Sequence, residues 1–284
     1  MILVKSHYRS VCEETDRIMA RKVKALRSPT VKGVQRIELE SWREFYPLIN
    51  ETLPNPQDHV FRGQRMSSWK LESSLDRALK DLGQHANAAR IATRHLDEFR
   101  LAIRGRRGAN PKELREKEQW ALGQHYGLWT PLLDWTESPF VALYFAFEEP
   151  SKTGKSKRAV FALHRSLVQS KSMSIAQKQV DSAARPDIME IITPMTDENA
   201  RLVSQGGLFT RGTLGVDVER WVGNHFGGTS AGTALIKIVV PEREGDRPKI
   251  LRALNRMNIN HRSLFPDISG SGKFCNIRLS VTGY

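Results

Sequence analysis

Residues 121–136 read ALGQHYGLWTPLLDWT, and residues 138–147 continue as SPFVALYFAF. The first stretch places His125, Asp134 and Thr136 among tryptophan and leucine side chains. Polar groups in such surroundings must find partners, because each one left without a hydrogen bond costs about 1–3 kcal/mol. The second stretch is almost continuously apolar after Pro139. It predicts a central helix that is buried on nearly all sides.

Secondary-structure signals extend outward from this stretch in both directions. Helical spacing is present at 41–49, 75–107 and 247–257, and Asn110-Pro111 with Gly127 predicts a further helix over 110–126. Apolar runs bounded by turn residues predict strands at 59–63, 159–164 and 235–240. These elements predict an α+β fold, a single mixed domain with a central sheet plus a helical insert. We expect the domain to cover residues 36–284, after a basic N-terminal arm over residues 1–35.

Composition points to a polyanionic partner. The 284 residues carry 44 Lys plus Arg against 31 Asp plus Glu, a formal net charge of +13. Nucleic acid is the favoured partner, because a positive surface gains affinity by releasing counterions from phosphates. An acidic protein is the alternative that charge alone leaves open.

The number of cysteines and the length of the apolar runs indicate where in the cell the protein is expected. The two cysteines, Cys12 and Cys275, form neither a disulfide framework nor a zinc-ligand spacing. No run approaches the roughly 18 apolar residues of a membrane span, and Lys5 and His7 interrupt the apolar start. We therefore expect a cytoplasmic protein with no membrane partner.

Four segments in order resemble the FRG domain family, named for a Phe-Arg-Gly triplet. The resemblance covers roughly residues 37–275, and its most specific part is the stretch quoted first. The matching segments are Phe61-Arg62-Gly63-Gln64 with residues 69–77, residues 121–146, residues 201–210, and the strand at 236–240 with residues 258–267.

Arg62-Gly63 on an early strand also resembles the first motif of the ADP-ribosyltransferase superfamily, which implies NAD as substrate and a related core sheet. A planar guanidinium can grip a pyrophosphate through two parallel hydrogen bonds. By this resemblance Arg62 holds phosphate or ribose, His125 and Thr130 contact the dinucleotide, and Tyr144 and Phe145 stack on nicotinamide. The rest of the implied NAD-binding set is Gly63, Gln64, Tyr126 and Thr136.

The catalytic carboxylate is less clearly marked. The superfamily commonly presents a Glu or Gln followed two residues later by Glu on a late strand, and this chain offers only Asp217-Val218-Glu219. A solvent-facing carboxylate pair is the favoured interpretation of that triplet. Gln205 is the alternative for the position, and Asp134 held near Arg62 would also supply the charge. The candidate catalytic residues are therefore Arg62, Asp134, Gln205 and Glu219.

Two functions from different classes follow. The first is an NAD-dependent ADP-ribosyltransferase that modifies nucleic acid, RNA rather than DNA, and acts as a toxin or antiviral-defence effector restrained by an antitoxin or inhibitory protein. The second is a non-catalytic nucleic-acid- or protein-binding module in which His125 satisfies a loop and Asp134 caps the following helix or bonds backbone amides. A nuclease is disfavoured, since no metal site is visible in the carboxylate spacing.

Overall fold

A computed structural model describes residues 24–53, 55–151, 156–179, 185–193, 200–228 and 232–284. The described residues form one eight-stranded mixed sheet with eleven α-helices, which confirms a mixed fold with a central sheet. The strands are β1 (Leu26–Arg27), β2 (Val34–Glu38), β3 (His59–Gln64), β4 (Leu132–Thr136), β5 (Ser156–His164), β6 (Glu190–Ile192), β7 (Gly207–Arg211) and β8 (Leu235–Glu242).

The helices lie on both sides of this sheet. They are α1 (Phe45–Thr52), α2 (Ser74–Asp81), α3 (Ala88–Ala102), α4 (Glu116–His125), α5 (Pro139–Phe147), α6 (Arg165–Lys178), α7 (Ala200–Ser204), α8 (Val218–His225), α9 (Asp246–Arg256), α10 (His261–Leu264) and α11 (Ile268–Ser280). Helices α2 to α4 lie between β3 and β4 in the chain and form the helical insert. Within the described ranges, no helix is long and apolar enough to cross a bilayer.

The sheet consists of two parts that are joined weakly. Its order is β1-β2-β8-β5-β3-β4-β7-β6, and the pairing of β2 with β8 is parallel while the others are antiparallel. Strand β3 pairs with β5 over six registered positions, and β4 pairs with β7 over five. Between β3 and β4 the register has one pair, Phe61 with Thr136. The two strands therefore separate on one side of that pair.

Three apolar clusters hold the layers together. One face of the larger part packs Phe61 and Val160 against α5, α1 and α9. The opposite face packs Phe161 and Leu235 against α8 and Val168 of α6. The helical insert packs its own cluster onto β4 and β7. Both strands that carry candidate site residues are thus fixed from behind by buried helices.

Helix α5 approaches β3 so closely that a side chain at position 63 has no room. Ser138 begins the helix by accepting a hydrogen bond from the Val141 amide at 3.3 Å, with Pro139 in the first position. A Cβ on Gly63 would lie 1.8 Å from the Ala142 carbonyl oxygen. The glycine is required by this packing, and the buried run after Pro139 is the central helix that the sequence predicts.

Several boundaries differ from the sequence-based expectation. The helix predicted over 110–126 begins at Glu116, because the Glu118 carboxylate accepts from the Arg115 amide at 2.8 Å and caps the chain there. The pattern over 75–107 is two helices, α2 and α3, joined through a short 3₁₀ turn. Asp134 is not a helix cap: it lies inside β4, a strand that the sequence did not reveal.

The predicted basic arm overlaps the sheet. Strands β1 and β2 pair with each other, and β2 joins β8 starting at Val34. The predicted boundary between residues 35 and 36 therefore falls inside a paired strand. Residues 1–23 of that arm lie outside the described part of the chain.

Candidate active site

A cleft opens where β3 and β4 separate. It has two chambers, of about 680 and 350 Å³, which share Arg62, Gly63 and Phe145. The larger chamber is also lined by Gln64, Arg65, Ser68, Trp69, Lys70, Glu72, Arg77 and Glu149. The smaller is also lined by Phe61, Asp134, Trp135, Thr136, Gln205 and Phe265. Volumes of this size are typical of small-molecule sites.

Arg62 spans the gap between the separated strands. Its Nη1 donates to the Asp134 carbonyl oxygen at 2.7 Å and lies 3.5 Å from Oδ2 of the same residue. Its side chain is 21% exposed, and its Nε is buried with no hydrogen-bond partner in the described structure. Burial lowers the pKa of Arg62 and the Arg77 cation lowers it further, while the Asp134 carboxylate opposes the shift. An arginine stays protonated at neutral pH nonetheless, so the cleft contains a partly desolvated cation with unused donor capacity.

Asp134 is the carboxylate nearest to that cation. Its side chain is 62% exposed, so it is open to a ligand in the smaller chamber. Gln124 at the end of α4 donates from Nε2 to Oδ1 at 2.5 Å. The Gln124 amide oxygen in turn accepts a short hydrogen bond from the Thr130 hydroxyl. The carboxylate is therefore oriented from the helical insert on one side and by Arg62 on the other.

Aromatic rings form the walls of the smaller chamber. The rings of Phe145 and Phe265 meet edge to face at a centroid distance of 6.1 Å. His261 stacks on Phe265 at 4.1 Å, and the Arg201 guanidinium lies over that ring at 5.4 Å. Phe265 is thus fixed by contacts with His261 and Arg201, and the chamber has apolar surfaces beside one carboxylate.

The larger chamber is basic. Its lining contains four cations, Arg62, Arg65, Lys70 and Arg77, against two carboxylates, Glu72 and Glu149. Arg65 lies over the Trp69 ring at 5.2 Å, and Arg77 donates to the Glu72 carbonyl at 2.6 Å. A chamber with excess positive charge next to an aromatic one can receive an anionic group attached to a planar or sugar moiety.

The comparison with known protein families matches a part of the chain that forms this cleft. Residues 57–155 match the FRG domain. The FRG match contains β3, the helical insert, β4 and α5, and so both strands of the cleft. Gln205 and Phe265 of the smaller chamber lie beyond it. No curated protein and no solved structure matches the chain significantly.

The FRG segment supplies most of the predicted residues that line the cleft. Arg62, Gly63, Gln64, Asp134 and Thr136 all line one or both chambers, as does Gln205 from outside the match. Three of these side chains are already engaged. Gln64 donates to the Lys70 carbonyl at 3.1 Å, Thr136 donates to the Gln205 carbonyl at 2.6 Å, and Gln205 donates to the Leu264 carbonyl at 3.1 Å. Arg62 and Asp134 are the pair with capacity for a ligand.

His125 lines neither chamber of the cleft. Its ring meets the Tyr126 ring at 4.8 Å. Burial lowers the pKa of His125 and the Arg201 cation lowers it further, while the Asp267 carboxylate raises it. The neutral imidazole is therefore favoured at physiological pH.

Four predicted residues are placed elsewhere. Tyr144 is fully buried in the core, where its hydroxyl lies 3.3 Å from His261 Nδ1, so it cannot stack on a ligand. Phe145, the other predicted stacking residue, does line the cleft. Thr130 is also fully buried and bonded to Gln124. Tyr126 is 72% exposed and lines neither chamber.

Glu219 is the fourth of these predicted residues that lie outside the cleft. It lies on α8, whose N-cap is Asp217, and pairs with Lys237 at 3.4 Å. The Asp217-Val218-Glu219 triplet is thus a helix start and not part of a late strand, and it contributes no lining to the cleft.

Sequence reasoning missed several residues of the cleft. Trp69, Arg77 and Phe265 lie inside segments that carry the FRG resemblance, so the signal was present in the motifs. Arg65 and Gln124 also lie in or next to them. Their roles depend on which side of β3 and α4 faces the gap, and this is visible only in three dimensions. In the described part of the chain, no three His, Cys, Asp or Glu side chains are grouped closely enough to hold a metal ion.

Proposed function

We propose that this protein is an NAD-dependent ADP-ribosyltransferase that modifies a nucleic acid, RNA in preference to DNA, and acts as a toxin or antiviral-defence effector. The observation that carries the proposal is the Arg62–Asp134 pair in a cleft with one basic and one aromatic chamber. NAD has two corresponding parts. One is an anionic pyrophosphate, and the other is a nicotinamide riboside in which the bond between ribose and nicotinamide is broken during the reaction.

The guanidinium of Arg62 is the test of fit on the protein side. Nε is buried, but the side chain is 21% exposed where it lines both chambers, so its outer N–H groups can reach a phosphate oxygen. Charge-assisted hydrogen bonds from a guanidinium fork to phosphate are among the strong ones. We place the pyrophosphate against Arg62 at the junction of the chambers, with Arg77 and Arg65 adding positive potential from the larger one.

The nicotinamide riboside then belongs in the smaller chamber. Phe145 and Phe265 offer flat apolar walls, and Asp134 offers the only carboxylate among the residues described as lining it. Breaking the bond between C1′ and the nicotinamide nitrogen sends the electron pair to that nitrogen and leaves positive charge on the ribose. A fixed carboxylate stabilises such charge best in a site that excludes water.

Transfer requires a nucleophile from the target. Its lone pair forms the new bond to C1′, and its proton passes to Asp134 or to solvent. The net charge of +13 favours a nucleic-acid target, because each phosphate contact adds affinity through counterion release. A restraining antitoxin or inhibitory protein would cover the cleft.

The test combines labelled NAD with purified RNA, DNA or protein extract, and follows both the label and free nicotinamide. We expect Arg62→Lys to raise the Kd for NAD by about 10- to 150-fold, because lysine keeps the charge but loses the fork. We expect Asp134→Asn to lower the rate of nicotinamide release by at least about 100-fold with a smaller effect on the Kd. Arg94→Gln, on the exposed surface of α3, is the matched control and should change neither.

A second function is favoured by one specific observation. Asp134 already has two partners, Arg62 and Gln124, as a purely structural carboxylate would. In that case the protein is a non-catalytic nucleic-acid- or protein-binding module. Salt-dependent RNA binding that survives Arg62→Lys and Asp134→Asn, with no nicotinamide released by the wild type, would favour this module and contradict the transferase.

A further inference from the structure

A second cavity lies on the helical insert, away from the cleft, and shares no lining residue with it. Its volume is about 540 Å³, within the range of small-molecule sites. Helices α3 and α4 form one side, and the end of β7 with the loop after it forms the other. The lining residues are His85, Ala86, Ala88, Ala89, Ala92, Thr93, Leu96, Arg100, Glu116, Trp120, Arg185, Arg211, Thr213 and Leu214.

Three arginines converge on this cavity. Arg211 pairs with Glu116 at 2.8 Å, and Arg185 pairs with Glu190 at 2.7 Å. Arg100 pairs with Asp97 at 2.6 Å. Burial lowers the pKa of Arg185, and the Arg211 cation lowers it further while Glu190 opposes the shift. The two cations therefore lie near each other, and Glu190 and Glu116 partly offset their repulsion. The lining still contains three arginines against one carboxylate, Glu116, so the cavity favours an anion.

Two donors at this cavity have no hydrogen-bond partner in the described structure. Arg211 Nε is buried and unpaired although its side chain is 17% exposed. Trp120 is only 1% exposed, and its indole Nε1 is also unpaired. Most buried donors in proteins are satisfied, so these two mark a region whose polar groups are incompletely paired. Neither atom is itself exposed to the cavity, so the contacts to an occupant come from the other N–H groups of the arginines.

Much of the remaining lining is apolar, although His85, Thr93, Glu116 and Thr213 also contribute. Four alanines of α3 and the turn before it form a floor, with Leu96 and Leu214 beside them. Small side chains there leave the volume free, and they offer a surface on which a ring can lie. The site therefore combines a cationic end with an apolar bed.

We propose that this cavity is a second ligand site, for a small organic anion whose carboxylate or phosphate lies against Arg211 and Arg185 and whose planar body lies on the alanine floor. Inorganic phosphate supplies only the anion, benzoate supplies a carboxylate with an apolar ring, and adenosine monophosphate supplies a phosphate with a larger planar body. The site selects for anion and body together, so the two organic probes bind more tightly than inorganic phosphate.

The experiment measures binding of each probe to the full chain by calorimetry. Arg211→Gln removes the anion contact, and Ala89→Trp fills the floor from an exposed position of the same helix, so that it leaves the core intact. Each should weaken the better organic probe by about 10-fold or more. Ala102→Trp, exposed on α3 but outside the cavity, and Arg62→Lys, in the cleft, should each change that affinity by less than about 2-fold.

Three results would contradict this proposal. The proposal is overturned if neither organic probe binds at about 10 mM, a free energy too small for a built site. It is also overturned if inorganic phosphate binds as well as the organic probes, or if Arg62→Lys abolishes binding while Ala89→Trp does not. The last result would assign the anion to the cleft.

Discussion

Replacing Glu242 by Gln removes the charged partner of a buried arginine on the strand next to β3. Arg158 of β5 is fully buried, and Glu242 of β8 is 5% exposed. The Arg158 Nε and Nη2 atoms lie 2.8 and 2.6 Å from one carboxylate oxygen, which also accepts from the Ser156 hydroxyl at 2.6 Å. Arg158 Nη1 donates to the Ala146 carbonyl of α5 at 3.1 Å. The pair therefore holds β5, β8 and the central helix together.

The expected cost follows from this burial. Removing one partner of a buried pair leaves an uncompensated charge and typically costs about 3–5 kcal/mol. For a domain of this size, 1 kcal/mol corresponds to roughly 2–4 °C in Tm, so we expect Glu242→Gln to lower Tm by about 6–20 °C. Arg158→Met with Glu242→Leu removes both charges, and most of the stability should return.

Urea unfolding followed by circular dichroism measures the free energies. The matched control is Glu98→Gln, whose partner Arg94 lies 3.2 Å away on an exposed helix surface, and it should cost less than about 0.5 kcal/mol. The reasoning is refuted if Glu242→Gln costs no more than this control, or if the double variant is as unstable as the single one.

Three further outcomes are expected. Gly63→Ala should destabilise the fold by about 3 kcal/mol or more in urea unfolding, because the new Cβ would lie 1.8 Å from a backbone oxygen of α5; a loss below 1 kcal/mol would show that β3 and α5 can separate easily. Phe145→Ala should weaken NAD binding about 10-fold or more in calorimetry, whereas Tyr144→Phe should leave it unchanged, since only the first ring faces the cleft. His59 is buried beside His164, and both burial and that neighbour lower its pKa. The stability contributed by neutral His59 is therefore complete above its unfolded pKa of about 6.5 and is lost as pH falls through its folded pKa. His59→Phe should make the free energy of unfolding depend less on pH between about pH 7 and 5. An unchanged slope would contradict this assignment.

The sequence predicted correctly those elements whose signal lies within one run of consecutive residues. The run at 235–240 is rich in β-branched residues and is confirmed as β8, and the apolar run after Pro139 is confirmed as α5. Strand β4 was missed because LLDWT has neither alternation nor β-branched residues before its last position. Its extended form depends on pairing with β7, about seventy residues later in the chain.

The sequence revealed the motifs that form the site, but it did not reveal how far apart they lie in the fold. The motif containing Arg62 and the one containing Asp134 were both recognised, but their distance depends on how β3 and β4 meet. Tyr144 and Phe145 are adjacent in an apolar run, and only the rotation of α5 decides that the second one faces the cleft. Glu219 was a candidate by spacing alone, and Asp217 instead begins a helix there.

The contact between Arg62 and Asp134 has a structural role, and under the proposed function it has a binding role as well. It crosses the part of the sheet where strand pairing is reduced to one position, so it takes the place of ladder hydrogen bonds between the two parts. Because the guanidinium is already partly desolvated and one of its donors is unmet, much of the cost of burying it is present before any ligand arrives. An anion that binds there gains the full hydrogen bond and also strengthens the connection between the two parts of the sheet. Ligand affinity and the stability of this junction must therefore rise and fall together.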